Sequence, residues 1–283
     1  FTFQSAGLAP NKDNPSASNL KSQLDNFVSN LKDAGLDVQD NPKNWREAFE
    51  LLKQLIKQSD KEKKIIFLDE LAWMNTRGDD LVTVLESFWN GWASARRDII
   101  LIICASSSSW IIKKIIHNKG GLYNRLSQEI CLSPFTLGEC EEFANKNHLG
   151  LSRYQIIFTY MALGGVAYYW SLLEANKTPE QNFDLLFSNR GAPLANEYKY
   201  LFSSLFNSPE NYKKIVAVLN DKKTGFSREE LLKKTKLADN GLFTNYLEDL
   251  ENCGFIRKYR AFGKKNKDSI YQLIDNFTLF YFK

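Results

Sequence analysis

Residues 65–74 read IIFLDELAWM: four apolar side chains, two acids, then a further apolar turn. A short β-branched and aromatic run with no polar member predicts a strand buried from end to end. The charged break SDKEKK at 59–64 marks where it begins. Asp69 and Glu70 then fall at the carboxyl end of that strand, the end at which open α/β sheets bind ligands. Downstream, the pattern predicts a helix from Asp80 to about Ala95, a second buried strand from Ile99 to Cys104, and a further strand over Glu129 to Leu132. Upstream, Leu20, Leu24, Phe27 and Leu31, and then Trp45, Phe49, Leu52 and Ile56, recur at helical spacing, which predicts helices over 18–32 and 45–58. Strands alternating with helices imply a parallel sheet with helices on its faces.

Past Pro134 the periodicity changes. Helices are predicted at Leu137–Asn147, Ser152–Leu163, Val166–Leu173 and, with a break near Gly191 and Pro193, over 182–206. From Glu210 come three helices, at Tyr212–Leu219, Arg228–Thr235 and Leu242–Asn252, followed by a hairpin around Gly263. Three helices and a basic hairpin suggest a winged helix. The expected organisation is an α/β parallel-sheet core over 1–134, a helical unit over 135–208 and a winged helix over 209–283. Trp89, Trp92, Tyr168 and Tyr169 read as core packing.

Composition narrows the class. With 43% hydrophobic and 25% charged residues in 283, the chain matches an ordinary globular protein. Its longest apolar run, Ile99 to Ala105, is too short to cross a bilayer, and no signal peptide opens the sequence, so no membrane is expected. Cys104, Cys131, Cys140 and Cys253 lack CxxC spacing, and His117 and His148 are the only histidines. That argues against a zinc site or disulfide framework and for small apolar fillers in a reducing cytoplasm. A net charge of +4 permits an anionic partner without demanding one. The chain opens on Phe1, its first methionine is Met74, and FTFQSAGLAP reads as a strand entering a loop. Together these predict that an upstream segment precedes it.

Four apolar residues followed by two acids is the Walker B pattern, in which the first acid holds magnesium through water and the second polarises the attacking water. Asp69 takes the first role and Glu70 the second. A bland alternative is that the acids only cap the next turn. One strand later, IILIICASSSSW ends in hydroxyls, which by themselves suit the cap of a helix at Trp110–Ile116, with Ser109 well placed. In the C-terminal third, Arg257, Lys258, Arg260, Lys264, Lys265 and Lys267 cluster with Tyr259, Phe262 and Tyr271, a combination suited to nucleic-acid backbone contact. The preceding helix offers Thr244, Asn245, Glu248 and Asp249, and carboxylates approaching phosphates are unfavourable.

KNWREAF, IIFLDELAWM, FWNGWASARRDIILIICASSSSWIIKKII, GGLYNRLSQEICLSPFTLGECEEF and LGGVAYYW together resemble the prokaryotic archaeal-type ATPase family, a STAND-like branch of the AAA+ P-loop ATPases. The resemblance spans roughly the whole chain. It implies a P-loop NTPase core, N-terminally truncated here, then a helical lid and a C-terminal winged helix, with ATP and Mg²⁺ as ligands. Many relatives carry a nuclease-like domain beyond the winged helix. It implies further that Ser106, then Ser107, contacts the γ-phosphate or orients water, and that Arg125 stabilises transferring phosphate, often across a subunit boundary, which makes self-association an expectation. Two departures stand out. No GxxxxGK[ST] occurs, Gly263–Lys264 being the only glycine followed by lysine, so the phosphates lack their cradle. In LGGVAYYW, Ala167 stands where the lid motif carries proline. The expected function is an ATP-hydrolysing switch, possible in the full-length protein and absent from this chain alone, that acts with DNA. The alternative is a DNA-binding or protein-interaction winged-helix module with a vestigial ATPase core.

Overall fold

The structure is a computed structural model that describes residues 1–9, 19–76, 78–106, 108–117, 120–122, 124–188, 191–206, 208–260 and 269–283. The chain divides into two compact units, Phe1–Glu129 and Ile130–Lys283.

In the first unit, β1 (Phe3–Ala6), β2 (Lys64–Asp69) and β3 (Ile99–Ile103) form a parallel sheet in the order β1-β2-β3. Ala6 lies beside Asp69 and Leu68 beside Ile103, so all three carboxyl ends reach one edge. The helices are α1 (Leu20–Asp33), α2 (Trp45–Gln58), the single turn α3 (Leu71–Met74), α4 (Leu81–Phe88) and α5 (Ser108–Ile111). π-helical turns extend α4 over Trp89–Ala93 and α5 over Ile112–Ile116. Asn19 and Asn44 accept from Ser22 N and Glu47 N and so cap α1 and α2. Their apolar stripes meet the sheet in one core, where Phe27 packs on Phe3 at 4.8 Å and edge-on against Trp45 at 5.5 Å. Trp89 and Trp92 pack against this core.

Three strand expectations change. β2 is buried only at Ile66 and Leu68, with Ile65 and Phe67 partly exposed. β3 is not buried from end to end either: Ile99 is buried, but Ile100 and Ile102 are 44% and 41% exposed. The core lies on the sheet face that carries Phe3, Ile66 and Leu68, and alternate side chains point to the opposite face. Residues 129–132 form no strand. Ile130 and Leu132 are 76% and 90% exposed, and an isolated apolar segment with no ladder partner gains nothing from extended backbone.

The second unit contains two cores. In one, α6 (Leu137–Lys146), α7 (Arg153–Leu163), α8 (Ala167–Ser171) and α9 (Pro179–Phe183), the last running into a π-helical turn at Asp184–Ser188, enclose Cys140, Ile156, Leu163, Trp170 and Leu186. Capping boxes open α6 (Thr136 with Glu139), α7 (Ser152 with Gln155) and α9 (Thr178 with Gln181). The two glycines of LGGVAYYW have structural work: Gly164 has φ +61°, and a Cβ on Gly165 would run into the Phe135 backbone. Tyr169 is buried, whereas Tyr168 is exposed, because only one of two adjacent positions on the short α8 can face the core.

The other core gathers Phe202 of α10 (Glu197–Leu205), then α11 (Pro209–Asn220), α12 (Arg228–Thr235), α13 (Gly241–Asn252) and an antiparallel sheet in the order β4-β6-β5. Those strands are β4 (Phe226–Ser227), β5 (Ile256–Tyr259) and β6 (Ile270–Leu273). The two-residue β4 interrupts a stretch expected to be wholly helical, being too short to show a period. The chain ends in α14 (Asn276–Tyr281), which returns to α7 and buries Phe277 in the first of the two cores. Of the cysteines, Cys140 fits the filler reading, its thiol pushed up to about 12 by burial and by Glu139, while Cys104 and Cys131 are exposed.

Candidate functional site

Asp69 ends β2 and Glu70 turns the chain, with φ 47° and ψ 45°, into α3. Left-handed backbone is uncommon for a residue with a Cβ and concentrates where surrounding structure enforces it. Here the enforcement is visible on both sides of the strand. Toward β1, Gly7 N donates to Asp69 O at 3.0 Å. A Cβ on Gly7 would lie 2.5 Å from Glu70 O and 3.0 Å from Met74 N, so glycine is what lets β1 approach the turn. Toward β3, Cys104 N donates to Leu68 O at 2.8 Å and Leu71 N to Cys104 O at 3.0 Å.

The side chains then meet. Asp69 Oδ1 accepts from Glu70 N at 2.9 Å. Glu70 Oε2 accepts from Ser106 Oγ at 2.8 Å and from Ser106 N at 3.2 Å. The Cys104 thiol, hydrogen-bonded to Asp69, is pushed up to about 11, first by the partial desolvation of its sulfur in a residue otherwise exposed, and then by the two carboxylates. A carboxylate pair, a hydroxyl and a neutral thiol therefore share one edge of the sheet. Hard oxygens of this kind suit Mg²⁺, which keeps several waters and takes one or two carboxylates plus phosphate oxygens. No group of three or more His, Cys, Asp or Glu among the described residues could hold a metal ion; the carboxylates of Asp69 and Glu70 are the oxygens that a Mg²⁺ shared with phosphate would use. The phosphate-cradling half has no counterpart in the 283 residues.

Two positioning residues were invisible as chemistry in the sequence. Gln23 is fully buried, accepts from Leu8 N at 3.0 Å, and donates to Leu8 O at 2.9 Å and Trp73 O at 3.0 Å. It ties the loop after β1 to α3. A polar residue among Leu20, Leu24 and Phe27 on the buried face of α1 was the available signal. Gly7 offered none.

Elsewhere, Arg125 is exposed in a loop, its N–H donating to Leu122 O at 3.1 Å, and Ser107 lies outside the described residues. Arg257, Lys258 and Arg260 are exposed on or just after β5, while Lys264, Lys265 and Lys267 also lie outside the described residues. On α13, Thr244, Asn245 and Glu248 face solvent but Asp249 is buried, accepting from Tyr212 OH at 2.7 Å.

Comparison with known proteins bears on the fold. No family model matches the chain. Over 245 residues it is 24% identical to the uncharacterized protein MJECL04 of Methanocaldococcus jannaschii, a match that covers 85% of this chain and 51% of the relative. The chain thus spans about half the length of the curated relative it matches. Among solved structures it is similar to the Walker-type ATPase PABY2304 of Pyrococcus abyssi, with a TM-score of 0.53 at 15% identity over 92% of this chain and 77% of that one. A Drosophila ORC structure with AT-rich DNA and Cdc6 superposes with a TM-score of only 0.24 at 14% identity, covering 99% of this chain and 76% of that one, too low to establish a shared fold. The chain therefore has a mixed α/β fold similar to that of a Walker-type ATPase. None of its helices, among the described residues, is long and apolar enough to cross a membrane.

Proposed function

We propose that this chain is part of an ATP-binding and ATP-hydrolysing switch of the AAA+ class, in the STAND-like branch, with Asp69 as the magnesium partner and Glu70 as the water-activating carboxylate. The observation that carries the reading is the meeting of Asp69, Glu70 and Ser106 at the carboxyl ends of two adjacent parallel strands. When bound, Mg·ATP supplies the phosphate to be transferred. Asp69 offers an acceptor to a metal-bound water, Glu70 takes up a proton from an attacking water, and Ser106 Oγ either orients that water or holds Glu70 in place. Ser107 and Arg125 are proposed to assist at the phosphate, Arg125 from a neighbouring copy.

The reading requires a phosphate-binding loop, which these 283 residues do not supply. The face of β3 that exposes Ile100 and Ile102 has room for the cover that parallel strands ordinarily have on both sides. In this reading 135–208 is the lid and 209–283 a winged helix. The test uses the full-length protein. Glu70→Gln should keep nucleotide binding and lose turnover, and Asp69→Ala should weaken magnesium-dependent binding. Unchanged hydrolysis in both variants would refute the assignment, and an upstream sequence with no phosphate-binding loop would favour a vestigial core.

A second reading, that the C-terminal segment contacts nucleic acid, is favoured by where the charge lies. Residues 209–283 hold 15 basic against 10 acidic side chains, and residues 1–208 hold 22 against 23. The net positive charge of the chain thus resides in that segment, with Arg257 and Lys258 on its outer strand and Arg260 just after it.

A further inference from the structure

The outer face of the β4-β6-β5 sheet is built, and not merely charged. Side chains alternate across a strand, so Ile256, Tyr271 and Leu273 enter the core while Arg257 and Tyr259 face out, opposite Gln272 and Ile270 in register. Each outward group is anchored. Tyr259 OH donates to Thr224 O at 2.5 Å, and Arg257 Nε donates to Gln272 Oε1 at 2.7 Å. Gln272 Nε2 in turn donates to Lys223 O at 2.5 Å. The Arg257 guanidinium sits 5.7 Å from the centre of the Tyr259 ring. The turn that supplies both carbonyls depends on Gly225, which has φ +81° and where a Cβ would strike Tyr271 O. The result is a tyrosine 38% exposed with the guanidinium of an exposed arginine held beside its ring.

We infer that this face, Tyr259 with Arg257 and Gln272, is a stacking platform for single-stranded nucleic acid. An exposed ring offers its face to any base, and a fixed cation beside it meets the adjoining phosphate, the combination that binds single strands without reading their sequence. Duplex recognition fits less well. A winged helix that reads duplex inserts a helix into the major groove, but α13, which would fill that role, exposes Glu248 and Glu251, and their charge opposes phosphate. Residues two apart on β5 are about 6.8 Å apart, which lets ring and guanidinium engage neighbouring parts of one extended strand. The inference rests on the nucleic-acid half of the proposed function and is independent of ATP hydrolysis.

The test is fluorescence anisotropy of the whole chain, without nucleotide, against labelled oligothymidylate, a mixed-sequence duplex of equal length, and phosphatidylserine vesicles. The single strand should bind more tightly than the duplex. Tyr259→Ala should weaken it by about fivefold or more, the lower end of what one stacked base contributes, while Tyr259→Phe stays close to the parent. Arg257→Gln should flatten the salt dependence by about one phosphate contact. Both side chains face solvent, so unchanged circular dichroism is expected of each variant; if Tyr259→Ala unfolds, Tyr259→Phe and Arg257→Gln still decide. Tighter duplex binding, binding to vesicles alone, or full affinity in Tyr259→Ala would overturn the platform, the first and third outcomes leaving a general nucleic-acid role standing. No binding to either oligonucleotide would overturn both.

Discussion

Replacing Gln23 with leucine keeps the volume of a fully buried side chain while removing three hydrogen bonds. One of the orphaned groups, Leu8 N–H, is a donor, and the other two are the carbonyls of Leu8 and Trp73. A buried backbone group left without a partner costs about 1–3 kcal/mol. Leu8 and Trp73 are only half-buried, so water can reach part of the gap. The low end then applies to each carbonyl, and with the donor the total is about 3–5 kcal/mol. In a unit of this size each kcal/mol lowers Tm by about 4 °C, which gives a drop of about 12–20 °C. Thermal unfolding followed by circular dichroism, with the tryptophan fluorescence of the first unit as a second probe, measures it. A Tm within about 2 °C of the parent would mean that the loop after β1 and α3 are not held through Gln23. Gln23→Glu should do worse, because it retains the shape but buries a charge against two carbonyl oxygens.

Two further predictions concern stability alone. Arg96, through paired hydrogen bonds of 3.0 and 2.7 Å, and Lys64 at 3.1 Å hold the Asp98 carboxyl well below its usual 3.8, the Arg96 hydrogen bond being the largest cause. A carboxyl with a depressed folded value stabilises the fold above the unfolded value and loses that contribution as pH falls through the folded one. Asp98→Asn should therefore lower Tm by a few degrees at pH 7, and the difference should shrink steadily as pH falls below the unfolded value of 3.8; a constant difference would refute the linkage. In the second unit, Thr159 on α7 buries an Oγ1 with no hydrogen-bond partner among the described residues. Thr159→Val should raise stability by about 1 kcal/mol in denaturant titration, and a loss would show that the hydroxyl has a partner.

The exposed face of β3 is the clearest place where pattern and structure part. IILII carries no polar residue from which to read an inside and an outside, so a strand buried on both faces and one buried on one face look alike in sequence. The reverse holds for Asp69 and Glu70. Their position after an apolar run set them at the end of a strand, and the parallel pairing of β2 with β3 followed from the alternation of elements. Helices were legible because their signal is local, a stripe of apolar residues at helical spacing; the caps Asn19, Asn44, Thr136, Ser152 and Ser227 came to light in the structure.

What sequence alone determined, then, was each local commitment: which stripes of residues form helices, and which strand end carries two acids. Tertiary structure alone decided which distant groups touch. Ser106 lies 36 positions from Glu70 and Gln23 lies 50 from Trp73, Gly7 is needed because of the Glu70 carbonyl, and α14 closes a core begun by α6. None of these has a periodic or compositional trace. Each depends on strand register and helix placement, which the summed packing of a whole unit fixes and no short window of residues encodes.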